Sequence, residues 1–157
     1  MSYSATHLEI AELPVILRQL ITDSSSRLQA IDERAFQAKP APDKWSKKEI
    51  IGHLIDSAQN NLRRFITAQY EEKPPHIIYN QDLWVAANGY DEVAATDLIL
   101  LWKLLNERIA SVLDRLPHGG GDKLCNTGKN SDDFRTLKFL ANDYVGHARH
   151  HLSQVLD

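Results

Sequence analysis

One cysteine, Cys125, in 157 residues excludes the disulfide-stapled scaffolds. A lone thiol closes no intramolecular bridge, and a chain of this length can bury a core without one. It also agrees with a reducing compartment. Long apolar runs are missing too. The longest, Leu98 to Trp102, is broken at Lys103, far short of the roughly 20 residues that span a bilayer. The first twenty residues lack the basic, apolar and small-residue regions of a signal peptide. The expected location is therefore the cytoplasm, with no membrane partner. Nor is there an excess of charge. Lys and Arg number 18 against 21 Asp and Glu, a formal net charge of -3, and no basic tract is available to neutralise a phosphate backbone, so nucleic acid is not an expected partner. Internal repeats and strand-period segments long enough for a sheet are also absent.

What is present is helix. A hydrophobic content of 43% suits one domain over residues 1–157, and four segments repeat apolar residues at alternating steps of three and four. The first runs through Leu17, Ile21, Ser24, Leu28 and Ile31, with Pro14 near its start, where a missing N–H costs little. The second runs through Ile51, Leu54, Ala58, Asn61 and Phe65. Its start is a capping box, Ser46 with Glu49, flanked by Trp45 and Ile50 as a hydrophobic staple. The third runs through Leu98, Trp102, Leu105, Ile109, Val112 and Leu116, and Pro117 with Gly119 to Gly121 stops it. The fourth runs through Leu137, Leu140, Tyr144, His147 and His151.

The expected fold is all-α, a four-helix bundle. The connection around Lys39 to Pro42 is short, which makes the first two helices antiparallel neighbours. The connection from about Glu71 to Thr96 is long and apolar, carrying Ile77, Ile78, Tyr79, Leu83 and Trp84, and is expected to cross one end of the bundle. The third, Leu116 to Arg135, holds glycines and polar residues and is expected to be mobile. That setting makes Cys125 a poor metal ligand.

His147 and His151 stand i, i+4 on the core stripe of the fourth helix, so both imidazoles leave one face. A buried polar group without a partner costs roughly 2 kcal/mol or more. Neighbouring side chains, solvent at a fraying end, or a metal ion that binds neutral imidazole nitrogens would each satisfy the pair. His53 lies about 60° outside Ile50 on the second helix and flanks the core. With it the set becomes three imidazoles from two helices with at least one open coordination position, the pattern of a catalytic metal site rather than a closed structural one.

Three stretches together resemble a known family. They are Lys44-Trp45-Ser46-Lys47-Lys48-Glu49-Ile50-Ile51-Gly52-His53-Leu54-Ile55-Asp56-Ser57, the long connection with Asp82-Leu83-Trp84, and Tyr144-Val145-Gly146-His147-Ala148-Arg149-His150-His151-Leu152 followed by Gln154. The set is similar to the DinB-like superfamily and, more narrowly, to its YfiT-type branch of metal-dependent hydrolases and bacillithiol S-transferases. The resemblance implies a four-helix bundle, often dimeric, whose metal is held by the histidine of His-x-x-Asp-Ser and the first and last histidines of His-x-x-His-His. Here those are His53, His147 and His151, with His150 left beside the site or at the surface. Gly52 stands where some relatives carry another histidine, which puts substrate choice in question.

Three neutral imidazoles leave a divalent ion its full charge, and zinc or nickel suits such ligands. The expected chemistry is activation of water, or of a low-molecular-weight thiol cosubstrate, toward a small electrophile. Asp56, Ser57, Asn60 and Asp143 are placed to orient the imidazoles or a bound water. The expected assembly is a homodimer acting on a small-molecule substrate. Two alternatives stay open: a non-catalytic binding or dimerisation module, and a metal-storage or sensing protein. No Glu-x-x-His motif accompanies the pair, which argues against a ferritin-like di-iron bundle.

Overall fold

In the computed structural model, which describes residues 8–157, the chain forms six α-helices and one small hairpin among the described residues. The four long helices are α1 (Leu13–Gln29), α3 (Lys47–Tyr70), α5 (Ala95–Asp114) and α6 (Leu137–Leu156), with α2 (Glu33–Gln37) and α4 (Gln81–Asn88) in the connections. The hairpin pairs β1 (Leu124–Asn126) with β2 (Phe134–Thr136) antiparallel, Cys125 opposite Arg135. No described helix is long and apolar enough to cross a membrane.

The four expected helices are α1, α3, α5 and α6, but their arrangement differs from the expected one. Both α1 and α3 pack on α5 and α6, so α1 and α3 face each other across a diagonal and are not neighbours. The link between them is longer than its proline-rich centre suggests. It contains α2, which Asp32 caps by accepting from Ala35 N and which inserts Phe36 into the core. The reach of that segment, and not a tight turn, sets the placement of α3.

Contacts along the helices give their directions. Lys47 bonds Val155 O, His53 faces His147, and Phe65 lies 6.4 Å from Tyr144 between ring centroids, so α3 and α6 are antiparallel. Arg18 pairs with Asp114, which sets α1 against α5, whereas Glu9 meets Lys138 beside the start of α6 and Arg27 reaches Leu156 O at its end, so α1 and α6 run parallel. It follows that α3 and α5 are parallel, and the chain must travel back the length of α3, about 36 Å at 1.5 Å per residue, before α5 can begin.

That return is the long connection, and it runs along the flank of α3 rather than across an end. Arg64 holds its start by donating from Nε and Nη2 to Ile77 O. Asn80 caps α4, Gly89 ends it in the left-handed conformation at φ 59°, and Tyr90 is buried against α3. Ala95 N, at the start of α5, donates to Glu33, which also pairs with the buried Lys48.

The third connection, expected to be mobile, is built into the fold. The helix before it ends at Asp114, two residues short of the expected stop. Cys125 is buried, Asn126 exchanges backbone bonds with Pro75 O and Ile77 N, and its Oδ1 accepts from Gly128 N and Asp133 N. The hairpin leads straight into α6, whose first turn Thr136 caps by accepting from Phe139 N.

Candidate metal centre

His53 is buried at 1% exposure, not set on the flank of the core as its wheel position suggests. From Ile51 to Ala58 every residue of α3 is buried, because α5, α6, α4, α2 and the turn at Tyr90 surround this half of the helix. A helix covered on all sides has no single core stripe, and a wheel drawn for one face misplaces its residues. The capping box is present as expected: Ser46 Oγ accepts from Glu49 N while Glu49 accepts from Ser46 N. It fixes the start of α3 two turns before His53.

The antiparallel meeting of α3 with the end of α6 brings His53, His147 and His151 together. One candidate ligand atom from each lies within 4.8 Å of the other two. The Nε2 atoms of His53 and His147 are 2.9 Å apart. His151 packs edge-on against both rings, at centroid distances of 4.8 Å and 4.5 Å. Two nitrogens bound at roughly 2.0–2.1 Å to one tetrahedral ion stand about 3.3 Å apart, so a small ring adjustment turns the 2.9 Å contact into a pair of ligands. The donor set fits a borderline divalent ion.

Protonation of these rings is suppressed. Burial, and then the charge on His151, brings His53 down to about 4. Burial, then His151, His53 and His150, brings His147 down to about 3. His151 is also lowered, chiefly by burial. Three neutral imidazoles near neutral pH are the form a cation requires. The Nδ1–H of His151 donates to Gln154 Oε1 at 2.7 Å, and Gln154 Nε2 donates to His150 Nε2 at 3.1 Å. His150 thus lies outside the cluster but linked to it, its ring 5.1 Å from His151.

The other sequence candidates stand on the same two helices as the cluster. Asp56, fully buried, accepts at Oδ1 from Tyr90 O–H and Asn88 Nδ2, while its Oδ2 is buried with no partner among the described residues. Burial pushes its carboxyl up to about 6, against the Tyr90 bond, which acts to lower it. Ser57 accepts from Asn61 Nδ2, Asn60 donates to Asp56 O, and Asp143 is exposed one turn before His147. Tyr90 and Asn88 are residues that sequence reasoning passed over, and Gln154, quoted there as part of a motif, was given no role. For Gln154 the signal was available, since it stands i+3 from His151 and i+4 from His150.

A cleft of about 470 Å³ opens on His151 and Gln154. Pro40, Trp45 and Ile50 give it an apolar side, with Asp43, Lys44 and Asp82 as its charged groups. The Trp45 ring also lies 5.0 Å from His53, so one side chain touches both cleft and cluster.

The metal-free protein is expected to lose stability on mild acidification. His53 and His147 titrate lower folded than unfolded, so their neutral forms stabilise the fold above about pH 6.5 and that contribution fades as pH falls toward 4 and 3. Asp56, raised, acts oppositely: its contribution is complete below about 4 and lost as pH rises through 6. Two histidines outweigh one carboxyl. A net loss of order 2–3 kcal/mol between pH 7 and 5 is expected at 1.36 kcal/mol per pKa unit. Denaturant midpoints of the chelated protein measure it, and a midpoint that rises on acidification would contradict the assignment.

Residues 16–155 match the model of the DinB superfamily. A Bacillus mycoides protein named "putative metal-dependent hydrolase" is 23% identical over 147 residues, covering 94% of this chain and 79% of its own length. A Bacillus cereus protein of that kind is 24% identical over 150 residues, with the same coverage. Among solved structures, YfiT from Bacillus subtilis, described as a probable metal-dependent hydrolase with an unusual four-helix bundle topology, superposes with a TM-score of 0.83 at 18% identity, over 93% of this chain and 83% of that one. A mycothiol-dependent maleylpyruvate isomerase superposes with a TM-score of 0.76 at 13% identity; it covers 94% of this chain, which spans 61% of that protein.

Proposed function

The chain belongs to the DinB superfamily, and on that premise we propose that it is a metal-dependent enzyme whose ion is held by His53, His147 and His151. The convergence of three neutral imidazoles from α3 and α6 beside an open cleft carries this reading. Zinc or nickel held by these three neutral imidazoles would supply Lewis acidity that lowers the pKa of a bound nucleophile. The chain's own residues do the rest. His151 faces the cleft, and Trp45 and Ile50 offer an apolar surface to a small molecule while excluding water from one side of it. Asp56, fully buried one turn after His53, holds Tyr90 and Asn88 against α3 behind the cluster.

The substrate class is a small electrophile, and the nucleophile is water or a low-molecular-weight thiol. Water is favoured by the hydrolase names of the relatives. The thiol is favoured by the likeness to a thiol-dependent isomerase.

Elemental analysis after reconstitution should find about one divalent ion per chain. Ester, amide, epoxide and alkyl-halide probes, each assayed with and without added thiols, should show turnover that chelation removes. Absence of bound metal would overturn the proposal. Tight binding with no consumption of any probe would favour a storage or sensing role.

A further inference from the structure

We infer that Gln154 is a positioning residue that fixes the tautomer of His151 and that His150 holds Gln154 in place for it. The inference rests on the three-histidine metal site proposed above.

The hydrogen-bond directions carry the argument. A neutral imidazole holds one proton, and the nitrogen without it carries the lone pair a metal needs. Gln154 Oε1 has no hydrogen to give, so its 2.7 Å contact requires the proton of His151 on Nδ1. Nε2 is thereby left bare on the other edge of the ring. The amide could defeat this by rotating, offering its N–H₂ to Nδ1 instead. His150 opposes that rotation, because its Nε2 accepts from Gln154 Nε2 at 3.1 Å only while Oε1 points to His151. A single helical turn thus contains the ligand, its orienting group and the holder of that group, at positions 151, 154 and 150.

The other two rings are prepared differently. Their 2.9 Å Nε2···Nε2 contact requires one of the two to carry its proton on Nε2, inside the site. That proton must leave Nε2 before both rings can bind an ion. His53 Nδ1, where it would have to go on that ring, is buried with no hydrogen-bond partner among the described residues. His151 is therefore the ligand whose lone pair is set by a group outside the cluster, and it lines the cleft.

Two measurements test this. The first is ring-nitrogen NMR of the metal-free, ¹⁵N-labelled protein near neutral pH. His151 should show the Nδ1–H form, and Gln154→Ala should shift it toward a mixture. The second is zinc affinity by chelator competition. Gln154→Ala should lose about 10- to 100-fold, the usual effect of removing a group that orients a ligand histidine. Gln154→Glu keeps an acceptor for Nδ1–H and should bind zinc at least nearly as well as the parent. His150→Leu should show a smaller loss than Gln154→Ala. Gln154 is exposed, so the melting temperature of the metal-free variants should stay close to the parent value, which separates positioning from folding.

An Nε2–H form of His151 in the parent, a Gln154→Ala variant that binds zinc as the parent does, or a Gln154→Glu variant as weak as Gln154→Ala would each overturn the inference. If the parent binds no zinc, the proposed function fails, and the NMR result still decides the tautomer claim by itself.

Discussion

His147→Ala is expected to remove tight metal binding while leaving the protein folded. His147 touches both partners, with Nε2 2.9 Å from that of His53 and ring centroids 4.5 Å from His151. Its loss leaves two ligands on different helices with no third to close the site. Four-ligand zinc sites release roughly 10–16 kcal/mol, about 3 kcal/mol per ligand, so affinity should fall by roughly two orders of magnitude. The fold should tolerate the change, since a half-buried imidazole that resists protonation is replaced by a smaller apolar group. The acid sensitivity of the metal-free protein should shrink along with it. Melting curves with and without zinc report both effects. The parent should melt higher in zinc by linkage, and the variant should not. A variant still stabilised by zinc as strongly as the parent would place the ion elsewhere.

The second large effect concerns stability. Gly52→Ala puts a Cβ 2.0 Å from Tyr90 Cδ2 and 2.4 Å from its Cγ, atoms near the base of a ring that cannot swing aside cheaply. Overpacking of this kind costs about 1–3 kcal/mol. Displacing the Tyr90 hydroxyl also strips a donor from buried Asp56, adding roughly 1–3 kcal/mol. A loss of about 3 kcal/mol or more is expected in denaturant midpoints. The double variant Gly52→Ala with Tyr90→Ala should be more stable than the sum of the two single losses implies, because the clash exists only when both side chains are present. Additive losses would refute the clash. The same contact explains why this chain has no fourth histidine beside His53: the Tyr90 ring occupies the space such a side chain would need.

Local signals in the sequence translated into structure almost directly. Ser46 and Glu49 form the expected capping box, and Leu17, Ile21, Leu28, Ile51, Leu54, Phe65, Leu98, Trp102 and Leu140 are core. Relations between helices did not translate, because stripes say which face is buried and not against what. The residues around Lys39 to Pro42 read as a short connection between neighbours, yet α2 and Phe36 carry the chain to a diagonal position. The strands Leu124–Asn126 and Phe134–Thr136 have three residues each, too few for a period-two pattern to register. The site divided the same way. The i, i+4 spacing of His147 and His151 identified their shared face, whereas His53 is covered by those two rings of α6, residues far along the chain that no local pattern connects to it.

The distance between position 53 and position 147 has a consequence for how the protein is made. During synthesis α3 leaves the ribosome well before α6 exists, so His53 spends that interval with neither of its partners. Bringing such distant positions together costs roughly 4 kcal/mol of chain entropy by the logarithmic loop-length rule, and contacts of this separation form late. An ion held by all three histidines could bind only once α6 exists and has met α3. On the proposed function, packing of α3 against α6 would then come before metal binding, and the cleft beside His151 would be the way in.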